Sequence, residues 1–253
     1  MVEEVLKGLN IPVDCEVNNT IYKKLFYDNA SMNSSDKDIF SRYIDKIIWL
    51  YSFKEDTINI KALVDDVREY DEIAVIKIIL KENSKFKRIA EIVQRTIPYP
   101  MVLIFNHNNK VLFNVAHKRK NKADESKNLV EELIYTGWID ISNLSEKDKC
   151  FLKNLNIKEF NTTDIYRFYC SFVDRVNIFN ANKYMESNKE IKIKDAEMVK
   201  ALTDKIEELE ERISDLRRGL RKEVHFNRKV EMNVELNKLV SRKKELIEKL
   251  TNY

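Results

Sequence analysis

Apolar positions in the first half of the chain fall into continuous runs and into helical spacings. Residues 46–53 and 72–81 (EIAVIKIILK) are almost continuously apolar, which is typical of strands that are covered on both faces. Residues 85–97 carry apolar side chains at intervals of three and four, so they predict an amphipathic helix. The runs 101–106 and 111–117 flank a polar turn and together predict a β-hairpin.

Weaker patterns lie between these segments. A short helix is expected at residues 1–12, which Pro12 would end, and a second helix is expected to begin at Ser34. The remaining predictions are a short strand at 57–60, a helix at 61–69, a strand at 133–141 that is kinked at Gly137, and helices between 146 and 185. This order of strands and helices favours an α+β fold in which helices pack on a mixed β-sheet.

The pattern changes near residue 190. We predict a mixed α/β domain over residues 1–190, followed by a charged, coiled-coil-like helical tail over residues 191–253. Intervals of three and four relate one set of apolar residues in the tail, which we interpret as a seam for self-association or partner binding: Ile206, Leu209, Ile213, Leu216 and Leu220.

A second apolar set in the tail repeats this spacing two residues out of phase: Leu236, Leu239, Leu246 and Leu250. The tail is therefore either one long helix with a phase slip or a helical hairpin that turns near residues 224–227. The hairpin would place the acidic stretch 204–211 opposite the basic stretch 238–244, where opposite charges attract.

Composition narrows the function classes. Hydrophobic residues make up 43% of the chain, enough for a packed core, and the net charge of +3 does not by itself require nucleic acid. Three glycines leave no glycine-rich phosphate loop, and Cys15, Cys150 and Cys170 are too far apart in sequence for a zinc motif. With no apolar run of about 18 residues, we expect a cytoplasmic protein with no membrane partner, no metal and no cofactor.

Basic side chains are concentrated after the predicted hairpin. The densest run outside the tail consists of His117, Lys118, Arg119, Lys120 and Lys122. Such a run can bind the phosphate backbone of nucleic acid, or it can be a solvated loop. A second basic stretch at residues 217–229 could serve nucleic acid or intermolecular ion pairs equally well.

A metal-dependent nuclease site is the catalytic alternative. It would place carboxylates on adjacent strands to hold Mg²⁺, with a lysine beside them to activate water. Asp71, Glu72 and Lys77 are the weak candidates in this chain. The five-residue interval from Glu72 to Lys77 puts their side chains on opposite faces of a strand, so the pattern favours a charged strand end over an active site.

Several segments carry a family resemblance: residues 23–60, 69–81 (EYDEIAVIKIILK), 97–100 (IPYP), 116–120 (AHKRK), 135–140 (YTGWID) and 221–239 (RKEVHFNRKVEMNVELNKL). Together they resemble the bacterial domain-of-unknown-function family numbered 4391 over nearly the whole chain. Its members commonly lie beside helicases and DNA methyltransferases in prokaryotic restriction and antiphage clusters. The resemblance therefore implies a role in DNA-targeting defence, although it carries over no catalytic residues. Gly137 departs from the bulkier polar residue expected there.

From these observations we expect a non-enzymatic accessory or adaptor subunit of a restriction or antiphage system. The tail is expected to form a homo-oligomer or to bind a helicase or methyltransferase subunit. Residues 117–122 are expected to contact DNA. The alternative is a divergent Mg²⁺-dependent nuclease of the same system.

Overall fold

The computed structural model describes residues 2–121, 128–185 and 191–253. The helices and strands of these residues are, in chain order, α1 (Val2–Gly8), β1 (Glu16–Thr20), α2 (Lys23–Asn29), α3 (Ser34–Tyr43), β2 (Ile44–Lys54), α4 (Glu55–Ile58), β3 (Leu63–Val64), β4 (Glu69–Tyr70), β5 (Glu72–Leu80), α5 (Phe86–Thr96), β6 (Met101–His107), β7 (Lys110–Ala116), β8 (Lys118–Lys120), β9 (Asn128–Val130), β10 (Ile134–Tyr135), β11 (Ile139–Asp140), α6 (Glu146–Asn154), α7 (Ile165–Asn182), α8 (Ala196–Lys222) and α9 (Phe226–Thr251). Contacts divide the chain into two compact units, Met1–Val176 and Asn177–Tyr253. The predicted functional boundary at residue 190 stays a prediction.

The first unit contains the predicted mixed sheet, which is confirmed. Its strand order is β1-β2-β5-β6-β7-β10, and β11 also pairs with β7. Strands β5 and β6 are parallel and are joined by the helix α5, whereas the other neighbouring pairs are antiparallel. A parallel pair needs such a crossover because a short turn cannot bring the chain back to the same end of the sheet.

Strand β5 lies at the centre because both of its faces are apolar. Residues 73–76 and Ile78 are buried, as the continuous apolar run predicts. Helices α2, α3 and α5 contribute Phe26, Phe40 and Val93 to one core cluster with this strand. In α7, Phe168 packs its ring 5.3 Å from that of Phe53 on β2.

The hairpin β6–β7 turns at Asn108, whose φ of 52° is the left-handed conformation that asparagine tolerates.

At one edge of the sheet, strand β1 carries mostly exposed polar side chains. Its register against β2 shifts between Glu16 and Asn19, and Asn18 has a φ of 49°. The turn residue that defines the hairpin and the irregular residue of the edge strand are therefore both asparagines.

Two short predicted elements were wrong. Residues 57–60 belong partly to the helix α4, in which the Thr57 hydroxyl accepts a hydrogen bond from the Lys54 N–H at 2.9 Å. Residues 61–69 contain the antiparallel strands β3 and β4 where a helix was predicted. The Asp65 carboxylate accepts the N–H groups of Val67 and Arg68 at 2.7 and 2.6 Å, so it closes a turn that competes with the helix.

The strand predicted at residues 133–141 is divided into β10 and β11. Between them, the Thr136 N–H donates to the Phe113 carbonyl at 2.9 Å, while the Phe113 N–H donates to the Thr136 hydroxyl at 2.9 Å, so a side chain replaces one of the two backbone bonds at that point. The interruption at Gly137 is therefore larger than the predicted kink.

The second unit contains the helices α8 and α9, which pack against each other and are separated by residues 223–225. Of the two predicted arrangements of the tail, the hairpin is the one the chain adopts. Lys243 of α9 lies 2.7 Å from Glu210 of α8, which joins the basic and acidic stretches as predicted. In the described part of the chain, no helix has the length and apolar character needed to cross a membrane.

Candidate binding interface

Lys118 begins the short strand β8, and its side chain points into the protein. It is 2% exposed, and its Nζ donates hydrogen bonds to the carbonyl oxygens of Ile97 and Tyr99 at 2.5 and 2.7 Å. Ile97 directly follows α5, where a cation interacts favourably with the helix dipole. Burial lowers the pKa of Lys118 well below its ordinary value. Through these two hydrogen bonds, the Lys118 amino group links the end of α5 to the loop that follows it.

Beside Lys118, the imidazole of His117 contacts an aromatic cluster. Its Nδ1 lies 2.9 Å from the hydroxyl of Tyr70, and that hydroxyl also accepts the Lys118 N–H at 3.1 Å. The ring of His117 packs 5.4 Å from that of Tyr169. Burial lowers the pKa of His117 and raises that of Tyr70. At neutral pH the imidazole is therefore neutral and adds no positive charge to the surface.

The other members of the predicted basic run differ from these two. Arg119 is exposed and lies 4.0 Å from the Glu131 carboxylate, while Lys120 donates to the carbonyl oxygen of Asp65 at 2.8 Å. Lys122 lies outside the described residues. The run thus contains two inward-facing side chains, and nucleic-acid binding by residues 117–122 stays a prediction that Arg119 and Lys120 would have to support.

The segments IPYP and AHKRK, which contribute to the family resemblance, meet in space. Lys118 holds two carbonyl groups of the first segment, and the amide of Asn128 on β9 donates to the Pro98 carbonyl at 3.0 Å. These contacts give both segments a structural role, because they fix the chain between α5 and β6.

The nuclease candidates do not form one site. Asp71 is exposed, whereas Glu72 is buried and accepts a short hydrogen bond from the Ser52 hydroxyl, with Lys54 Nζ 3.5 Å away. Lys77 is half-buried farther along β5, about 16 Å from Glu72 at the rise of an extended strand. Among the residues that the structure describes, no group of three or more His, Cys, Asp or Glu side chains is arranged to hold a metal ion. A catalytic role for Asp71, Glu72 and Lys77 stays a prediction.

The predicted seam of the tail faces α9 of the same chain. Ile206 and Ile213 are buried, and Leu209, Leu216 and Leu220 are half-buried. Ile206 and Leu209 share one core cluster with Leu246 and Leu250. Self-association through Ile206 and Ile213 would require the two helices to separate, whereas Leu209, Leu216 and Leu220 keep part of their surface exposed. The predicted homo-oligomer stays a prediction.

A groove of about 460 Å³ runs between α8 and α9, and its lining is basic. Ser214, Arg217 and Arg221 follow one another at intervals of three and four along α8, so their side chains share one face. The cationic side chains that line the groove are Arg217, Arg218, Arg221 and Lys243. Glu210, its acidic member, pairs with Lys243 and accepts the Tyr184 hydroxyl at 2.9 Å. Burial opposes ionisation of Glu210, but these two hydrogen bonds hold its pKa below the ordinary value.

The outer face of α9 is apolar near the start of the helix. Phe226, Val230 and Val234 recur every four residues and are 76%, 45% and 50% exposed. The same helix buries Leu246 and Leu250 against the hairpin core, so the exposed stripe belongs to a different face. The four-residue spacing of these three residues can be read from the sequence, but none of them belongs to the two apolar sets from which the tail was predicted, so the stripe was missed.

A comparison with family models matches residues 9–242 to the domain of unknown function DUF4391. The chain belongs to the DUF4391 family. Comparisons with curated proteins and with solved structures gave no match. The match to DUF4391 includes the contact between Lys118 and residues 97–99, the apolar stripe of α9 and all residues that line the basic groove except Lys243.

Proposed function

We propose that this DUF4391 protein is a non-enzymatic accessory subunit of a prokaryotic DNA-targeting restriction or antiphage system. Its task is to bind a helicase or DNA methyltransferase subunit, and the outer face of α9 is the docking surface. The association of the family with such subunits supports the choice of partner. A second candidate is the Mg²⁺-dependent nuclease, for which the described residues offer no group of side chains arranged to hold a metal ion.

The exposed stripe of α9 is the observation that carries this proposal. Three large apolar side chains in a row cost free energy in water, at about 25 cal/mol for each Å² that a partner would bury. Phe226 offers the large aromatic anchor that is enriched at the energetic centre of protein interfaces. A partner with an apolar groove would accept this face as a helix-in-groove contact.

The test is co-expression with a helicase subunit and, separately, with a DNA methyltransferase subunit of a restriction system from the native host. We expect the partner to co-purify with the wild-type protein and to be lost from the variant F226S/V230S/V234S. A matched control, V13S/Y22S/V64S, removes three exposed apolar side chains from the first unit and should retain the partner.

Light scattering and circular dichroism would verify that both variants fold as the wild type does. If neither subunit co-purifies with the wild type, or if the α9 variant retains its partner, the proposal is wrong. Cleavage of plasmid DNA that requires Mg²⁺ and is abolished by Glu72→Ala would favour the nuclease.

A further inference from the structure

We infer that the groove between α8 and α9 binds the phosphate backbone of a nucleic acid. This site lies outside the run at residues 117–122. It uses the arginines of the stretch 217–229, for which the sequence left nucleic acid and intermolecular ion pairs as alternatives. It also differs from the apolar stripe proposed for the partner protein.

The first argument is the concentration of charge. Residues 212–229 contain seven Lys or Arg and two Asp or Glu, a net charge of +5, while the whole chain has a net charge of only +3. The remaining residues therefore have a net charge of −2, which is +3 minus +5. A local excess of this kind attracts polyanions even when the net charge of the protein is small.

The second argument is that part of this charge is unpaired. Arg218 pairs with Asp215, and Lys243 pairs with Glu210. Arg217 and Arg221 form no ion pair with any residue in the described ranges, although both line the groove. Two guanidinium groups that face a groove without a carboxylate partner are available for an external anion.

The third argument is geometric. Arg217 and Arg221 are one helical turn apart, about 6 Å along the axis of α8. Guanidinium groups bind phosphate oxygens in a planar, bidentate manner, which fits a phosphodiester better than a single carboxylate. Lys222, Arg228 and Lys229 lie nearby in the sequence but outside the lining, and Arg228 pairs with Glu223 at 3.4 Å. The phosphate contact is therefore assigned to Arg217 and Arg221.

The apolar wall of the groove adds a further constraint. Ile213 and Val240 line it beside the charged groups. A charge-assisted hydrogen bond is stronger beside apolar side chains than in bulk water. The expected contact is therefore sequence-blind, since it uses phosphates and no base edges, and it is sensitive to salt.

The experiment measures fluorescence anisotropy of labelled nucleic acids with the purified full-length protein over a range of salt concentrations. A DNA duplex, single-stranded DNA and single-stranded RNA of equal length serve as probes. In the variant R217Q/R221Q we expect affinity to fall by at least about tenfold and the slope of log K against log salt to decrease by about 2.

The matched control is R212Q/R242Q, which removes the same amount of charge from the same helical hairpin, at two positions that do not line the groove. Arg212 pairs with Glu235 and Arg242 with Glu245, so these side chains are already occupied. The control should lose less than about threefold in affinity, because screened surface charges away from the contact act weakly. Hydrogen exchange of α8 and α9 would verify that the hairpin is intact in both variants.

Three results would overturn the inference: no binding of any probe by the wild type at low salt, equal loss of affinity in both double variants, or binding of anionic lipid vesicles that exceeds binding of all three nucleic acids. Failure of partner docking would leave this inference unaffected, because the measurement uses the protein alone and does not alter Phe226, Val230 or Val234. Loss of nucleic-acid binding would equally leave the partner proposal standing.

Discussion

At the scale of single residues, Lys118 connects two segments that are distant in sequence. Its amino group donates hydrogen bonds to two backbone carbonyls, one at the end of α5 and one in the loop before β6. Buried polar groups that lose their partner retain the cost of desolvation, about 1–3 kcal/mol each. The residue therefore contributes more to stability than a surface lysine can.

We expect Lys118→Met to lower the free energy of unfolding by about 3 kcal/mol, because two buried carbonyl groups lose their donor while the volume is kept. The neighbouring change Arg119→Met removes an exposed charge and should cost less than about 0.5 kcal/mol. Urea unfolding of the two variants gives the comparison. A Lys118→Met variant as stable as the wild type would show that the two hydrogen bonds of Lys118 Nζ do not stabilise the fold.

The sequence predicts a basic run at residues 117–122 but not the direction of each side chain. Alternation along a strand separates neighbours, so Lys118 and Arg119 face opposite ways once β8 pairs with β9. Which of them faces inward depends on the loop at residues 97–99, which is about twenty residues away in the chain. Long-range contacts of this kind have no signal in a local pattern.

At the scale of elements, a strong apolar pattern was sufficient to predict a helix or strand where tertiary packing agrees with the local propensity. Strand β5, helix α5 and the hairpin β6–β7 all form where the apolar pattern predicts them. The prediction of a helix at residues 61–69 was wrong because the carboxylate of Asp65 closes a turn by accepting two backbone N–H groups. The helix predicted there is replaced by two short strands on either side of this turn.

The close approach of α8 and α9 at Gly219 offers a test at this scale. A Cβ atom at this position would lie 2.8 Å from the Cε of Met232, which is the flexible end of a side chain. We expect Gly219→Ala to raise the stability of the hairpin by about 0.5 kcal/mol, because the gain in helix propensity exceeds the cost of moving one methyl group.

Hydrogen exchange of the α8 and α9 amides would measure this change separately from the first unit. The bulkier change Gly219→Val serves as the comparison. It should lower the protection of the α8 and α9 amides, since a shift of the Met232 methyl group leaves too little room for a branched side chain. Lower protection in Gly219→Ala would mean that the two helices are rigidly apposed at this point.

At the scale of the whole molecule, the leucine seam of the tail determines what kind of assembly is open to the chain. Heptads predicted a coiled coil correctly, but they do not distinguish a partner helix in another chain from one in the same chain. The phase slip and the opposite charge of the two stretches were the signals for the internal partner, and Lys243 with Glu210 realises them.

We expect the variant L209N/L216N to keep the molar mass of the wild type in light scattering. Its hairpin should be less stable by about 3 kcal/mol, because two half-buried leucines lose their contacts with α9. Leu25→Asn, a change at an exposed leucine of the first unit, is the control and should affect neither quantity. A decrease in molar mass caused by the seam variant alone would instead assign the seam to self-association.

The irregular edge strand β1 has a consequence for how the protein avoids unwanted assembly. An outer strand with free backbone groups is a template on which another chain can add its own strand, and such growth leads to aggregation. In β1 the register shift and the left-handed Asn18 interrupt the row of backbone groups that such addition needs. Its exposed polar side chains offer little apolar surface to an incoming strand. The sheet is thereby protected against polymerisation at this edge.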